Sequence, residues 1–215
     1  MNPNTNLRIK ALRTIMEKEG IAAFIIPSTD PHLSEYVAPH WESRKWISGF
    51  TGSAGTVVIT HHEAGLWTDS RYFLQAAQQL EGTEIVLYKE MLPETPSIPA
   101  FLAAHLKAEE TVGIDGKMFS ATQVALLEKE LAEANISIKA IADPIEELWT
   151  DRPSIPNTPA FIYDICYAGK SCEEKIETIR KAILKDGAKY ILLTALDEIA
   201  LSLIHISEPT RLRRI

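Results

Sequence analysis

With 215 residues, 46% of them hydrophobic, and a formal net charge of −7, the chain is long enough for one domain and part of another. The acidic balance excludes nucleic acid and anionic membrane as expected partners, since both need a basic surface, and no apolar run approaches the ~18 residues of a membrane span. Its two cysteines, Cys166 and Cys172, match neither a disulfide framework nor a zinc spacing, so a cytoplasmic protein is the simplest expectation.

The first element is a helix with Ile9, Leu12, Ile15 and Met16 on one face, capped by Asn6 and stopped at Gly20. AAFIIP (22–27) is an apolar run of the kind found in strands buried on both faces. Asp30-Pro31 reads as a cap followed by proline at the first helical position, which predicts a short helix over HLSEY. TVVIT (56–60) and the strand ending at Thr68 form a hairpin around HHEAG. A helix then starts at Asp69 or Ser70 and runs through YFLQAAQQL to Gly82, followed by the strand EIVLY. After the proline-rich LPETPSIP come a helix near 98–107, the strand TVGID, a helix behind the Ser120/Gln123 capping box, the strand ISIKAIA and a short helix ending near Trp149. Strands alternating with helices predict an α/β domain, a mixed sheet with helices on both faces.

RPSIPNTP (152–159) breaks this pattern as a linker does. Beyond it, Ser171 and Glu174 form a second capping box, ahead of Ile176, Ile179 and Ile183, then Gly187 and the expected strand YILLT. A shift of 167 residues lays Ile9, Leu12, Met16, Gly20 and Asp30 onto Ile176, Ile179, Ile183, Gly187 and Asp197. Two readings stand: helix–glycine–strand units often look alike, or a second copy of the first domain begins here. The organisation expected is a domain over 1–152, a linker over 153–159 and the start of a related domain over 160–200. One helix and one strand cannot bury both their apolar faces, so such a segment needs more chain.

Few residues here offer chemistry by themselves. GFTGSAG (49–55) has the spacing G-x-x-G-x-x-G and leaves as a strand, whereas phosphate loops lead into a helix; a tight turn needing positive φ explains it. His61, His62 and Glu63 lie at a hairpin tip and read as a solvated turn, while His32 and His40 flank the short helix expected at 31–36 with no metal-ligand spacing. There is no H-E-x-x-H motif, no G-x-S-x-G elbow and no Cys/His pair in an orienting context. Arg71 stands apart, because a cation in the first turn of a helix opposes the macrodipole. Either it pairs locally with Asp69, or it is aimed at a carboxylate or carbonyl of a ligand or neighbouring domain.

The run IIPSTDPHLSEYVAPHWESRKWISGFTGSAGTVVIT, followed by WTDSRYFLQAAQQL, VGIDGKMFS, LWTDRP and TALDEIA, resembles the amino-terminal half of the three-domain cytosolic Xaa-Pro aminopeptidases, over essentially residues 1–200. The resemblance implies a creatinase-like N-terminal α/β domain, a second related domain, and a third, pita-bread domain that is catalytic. It implies removal of an N-terminal residue that precedes proline, by two divalent metals, manganese expected, held by two Asp, one His and two Glu of the third domain. No residue of this sequence corresponds to those ligands or to the catalytic histidines, so no catalytic residue, metal ligand or cofactor is expected within the chain. From the T-D-[GS]-R-Y motif one role carries over, substrate binding by Arg71. The partners implied are a peptide with proline second and the parent's own C-terminal domains, with homo-oligomerisation left open. The pattern departs at Leu201, where LSLIHISEPTR resembles the in-frame translation of a synthetic sequencing-library adapter; three of the nine arginines fall in the last five residues. Residues 201–215 are therefore expected to be a non-native tail, and the chain a fragment without activity of its own. The alternative from another class is a free-standing, non-catalytic α/β binding or regulatory module.

Overall fold

The computed structural model describes residues 4–159, 161, 164–194 and 199; the segment expected to be a non-native tail lies outside the described residues. The chain divides into two units, Met1–Pro156 and Asn157–Ile215. In the first, helix α1 (Asn4–Glu19) precedes strand β1 (Ala23–Ile26), then α2 (Ser43–Ser48), β2 (Thr56–Thr60), β3 (Ala64–Thr68), α3 (Phe73–Gln79) and β4 (Ile85–Lys89). Helix α4 (Ile98–His105), β5 (Thr111–Asp115), α5 (Ala121–Leu131), β6 (Ser137–Ile141) and α6 (Ile145–Leu148) complete it.

The six strands form one mixed sheet in the order β4-β3-β2-β1-β5-β6. Strand β2 alone runs antiparallel to its neighbours, with Ala23 opposite Thr60 and Thr56 opposite Trp67. All other pairs are parallel, so β1, β3, β4, β5 and β6 end at the same rim. Every residue of β1 is buried because alternate side chains enter two cores. Phe24 and Ile26 join Ile9, Leu12 and Met16 of α1, with Ile47, Ala76 and Ile145, on one face. Ala23 and Ile25 join Phe101 and Leu102 of α4 and Leu131 of α5 on the other.

Two aromatic contacts show how local sequence suits this arrangement. Trp67 stacks on Tyr88 across the parallel β3–β4 pair, with ring centroids 4.2 Å apart. Gly65 makes the room for it, since a Cβ there would lie 2.6 Å from the Trp67 ring and 2.7 Å from that of Tyr88. On the opposite face Trp46 stacks on Trp149, tying α2 to the end of α6.

Several expectations are corrected. Asn6 is inside α1 and not its cap; its side-chain oxygen accepts from the Glu84 N–H instead. No helix forms over HLSEY: Asp30 Oδ1 accepts from the backbone N–H groups of His32 and Ser34, a side-chain-directed turn that competes with helix formation, and Leu33 takes φ +54. The segment after Asp69 begins as a 3₁₀ turn (Ser70–Tyr72) before α3.

The second unit holds α7 (Ile165–Ala168) and α8 (Cys172–Lys185). Ser171 and Glu174 make the expected reciprocal capping box, and Gly187 takes φ +74 just beyond the helix. The strand expected over YILLT is absent among the described residues, where 190–194 form no ladder. A strand gains its backbone hydrogen bonds only from a neighbour, and no other described segment of this unit is extended and paired.

Leu12 is fully buried against β1. The Leu12→Ala variant should therefore lose about 2–5 kcal/mol of unfolding free energy, read as a lower urea midpoint.

Candidate functional site

Five strand ends and the incoming loop 49–55 share one rim of the sheet, the edge where ligands of open α/β sheets bind. Strand β3 delivers Asp69 and Arg71 there. Asp69 Oδ1 caps the 3₁₀ turn by accepting from the Arg71 N–H, and the side chains of the two residues form a fork. Arg71 Nε donates to Oδ1 at 2.9 Å and Nη2 to Oδ2 at 2.7 Å. The local pairing with Asp69 is thus formed, and it leaves the Arg71 side chain 68% exposed. Hydrogen bonding from Arg71 holds the Asp69 carboxyl below the usual carboxylate range.

Tyr72 lies under this pair, its ring 5.2 Å from the Arg71 guanidinium carbon. Its hydroxyl is 2.6 Å from Ser53 Oγ, and that hydrogen bond draws the phenol below its ordinary value. Thr51 joins the same wall: its Oγ1 accepts from Gln75 and Gln79, and its N–H donates to Gln79. The glycine-rich loop is consequently fixed to α3 through side chains the sequence reading left unassigned.

A buried cation secures the loop from below. Arg44 donates from Nε to Ser28 Oγ at 2.8 Å, from Nη1 to Phe50 O at 2.5 Å, and from Nη2 to Gly52 O. Burial pushes this guanidinium down to about 10, against the opposing charges of Glu42 and Tyr72. The loop is no phosphate cradle: it delivers carbonyls to an arginine and leads into β2. The turn expected there is present, with Gly49 at φ +74, and Gly52 has no room for a side chain because a Cβ would meet Phe50 at 2.3 Å.

Next along the rim, Arg152 is almost wholly buried. Its Nη1 bridges Asp143 at 2.7 Å and Glu146 at 2.6 Å, while Nε donates to His40 O. His40 Nδ1 lies 2.7 Å from Pro153 O. Of the four histidines weighed from sequence, His40 is thus a buried structural group, and His32 is exposed at the Asp30 turn. His61 and His62 are at the far rim, where His61 Nε2 is 3.1 Å from Ile21 O. Asp115 is buried near Asp143, and burial raises its carboxyl above 3.8. No group of three or more His, Cys, Asp or Glu among the described residues could hold a metal ion. The described residues therefore do not fit the two-metal centre that the resemblance implies, and no chemical step in this chain is derived through one.

Geometry and chemistry together define a doubly covered mixed α/β domain with a polar, arginine-bearing rim. A family model for the creatinase/prolidase N-terminal domain matches residues 8–148, and a second model of the same description matches 151–203. The chain belongs to the creatinase/prolidase N-terminal domain family. It is 39% identical over 201 residues to Xaa-Pro aminopeptidase 2 of Rattus norvegicus, covering 92% of this chain and 29% of that protein. It is equally 39% identical over 199 residues to a probable Xaa-Pro aminopeptidase P of Coprinopsis cinerea, covering 92% and 32%. The crystal structure of X-prolyl aminopeptidase from Caenorhabditis elegans, described as a cytosolic enzyme with a di-nuclear active site, superposes with a TM-score of 0.83 at 29% identity, covering 92% of this chain and 34% of that one. The chain thus spans about a third of the length of these relatives. No described helix is long and apolar enough to cross a membrane.

Two outcomes test the rim. Arg44→Met leaves three oxygens without their donor and should cost on the order of 3 kcal/mol in urea unfolding. Asp115, raised in the folded state, lowers stability as pH climbs from 3.8 through its folded value and adds nothing further above it. Asp115→Asn should flatten that segment of the stability–pH profile relative to wild type.

Proposed function

We propose that this chain is the N-terminal, non-catalytic portion of a metal-dependent aminopeptidase that releases the N-terminal residue from peptides with proline second. The carrying observation is the pattern of coverage: nearly all of this chain aligns with about a third of each Xaa-Pro aminopeptidase. The two family matches, 8–148 and 151–203, and the division of the chain after Pro156 support two successive units. Within this reading the first domain spans 1–152, the linker 153–159 and the start of a second related domain 160–200. The two divalent metals, manganese by resemblance, belong to a catalytic domain beyond these residues; the di-nuclear site of the C. elegans enzyme supports this. That enzyme's cytosolic description likewise supports a cytoplasmic protein.

Within this scheme Arg71 is the substrate-binding residue. Its exposed guanidinium, fixed by Asp69 and backed by Tyr72, offers N–H donors to an oxygen of the bound peptide. Such a contact positions the peptide and leaves bond cleavage to the metal-bearing domain.

The test uses the complete protein, obtained by reading the gene outward past codon 200, beside residues 1–200 alone. The complete protein should release the first residue of an Xaa-Pro peptide in a metal-dependent manner, and the short chain should not. Metal-dependent release by the pure short chain, or none by the complete protein, overturns the proposal. Arg71→Ala in the complete protein should lower kcat/KM about ten- to a hundredfold, the value of one hydrogen bond to a charged group.

A further inference from the structure

The Asp69–Arg71 fork has a consequence for which oxygen Arg71 can take. Asp69 occupies Nε and one Nη2 proton; Nη1 and the second Nη2 proton have no partner among the described residues. The pair is charge-neutral as a unit, and it sits at the surface with the arginine far more exposed than the aspartate. Glu90, at the end of β4, is close enough to feel the Asp69 charge: burial first, then Asp69, raises its carboxyl. The carboxylate paired with Arg71 is that of Asp69, and Arg71 is held in place by a backbone cap, a bidentate pair and the Tyr72 ring that Ser53 pins.

An incoming carboxylate at such a guanidinium feels attraction to Arg71 offset by repulsion from Asp69, which removes about half of the attraction when the second anion lies at roughly twice the distance. An uncharged carbonyl oxygen loses far less, because it needs a donor and not a net charge.

We propose that Asp69 is a specificity-setting positioning residue: by neutralising and aiming Arg71 it makes this end of the site favour a neutral peptide carbonyl over a C-terminal carboxylate. Peptides continuing beyond proline are then favoured over Xaa-Pro dipeptides with a free carboxylate. This deepens, and rests on, the reading of Arg71 as the substrate-binding residue.

The experiment compares Ala-Pro with Ala-Pro amide, which differ in that terminal charge, in the complete enzyme and its Asp69→Asn and Asp69→Glu variants. Asparagine keeps an oxygen for the Arg71 N–H, so the turn retains its cap. The wild type should prefer the amide. Asp69→Asn should raise the Ala-Pro to amide ratio of kcat/KM roughly three- to tenfold, mainly through KM, and Asp69→Glu should restore the wild-type ratio. An unchanged ratio in a folded, active Asp69→Asn enzyme overturns the inference, even if both substrates slow equally, since that marks Asp69 as a cap alone. Absence of amide preference in the wild type overturns it as well. Failure of the wild type to cleave either substrate overturns the underlying functional reading, and this inference with it.

Discussion

Strand β1 has no face toward water, and the rest of the first unit follows from that. Four consecutive buried residues can be satisfied only by helices above and below, which sets α1 and α6 on one side and α4 and α5 on the other. Covered on both faces, the sheet leaves its two rims as the places where chemistry-bearing side chains gather. The rim carrying five strand ends is where Arg44, Asp69, Arg71, Asp115 and Arg152 all stand.

Three of those five are arginines in different electrostatic states. Arg44 is buried without a direct carboxylate and satisfied by a hydroxyl and two carbonyls, which suits a fixed planar donor set. Arg152 is buried with two carboxylates, so its role is to bind α6 and the segment after Trp149 to the 3₁₀ turn Pro39–Trp41 that contains His40. Arg71 is paired yet exposed, and it alone faces outward. Burial of the other two makes them architecture; exposure makes Arg71 available.

The periodic elements were legible from sequence because their signals are local. Burial on both faces wrote β1 as an apolar run, and Ser120 with Gln123 announced α5 by a reciprocal cap that the structure contains. Where a side chain competed with the backbone the reading failed: Asp30 drew two N–H groups to itself and made a turn where a helix was expected. YILLT failed for the opposite reason, since strand propensity has no outlet without a neighbouring strand. At the rim, Arg71 was visible through its odd place in a first turn, and its link to Asp69 through a spacing of two. Arg44 was not, because its partners at Ser28, Phe50 and Gly52 are brought together only by the turn after α2, and nothing in ESRKW marks one of its cations as buried. Arg152 was legible only as part of the motif WTDRP; Asp143 and Glu146 lie nine and six residues before it, but His40 is 112 residues away and is brought to it only by the fold.

The single reversed strand carries one more implication. Had β2 run with its neighbours, the chain would have entered it at the far rim, beside His61 and Glu63. Running backwards, it begins where the others finish, so an entrance is set among exits. Loop 49–55 is held between the Gly49 stop of α2 and Thr56 of β2, and both anchor points belong to the frame and not to the loop. Its inner residues are bound to that frame as well, Phe50 and Gly52 through Arg44, Thr51 through Gln75 and Gln79, and Ser53 through Tyr72. One reversal of direction thus sets a braced wall beside the outward-facing arginine, so that a change of residue there alters the arginine's surroundings and the stability of the domain together.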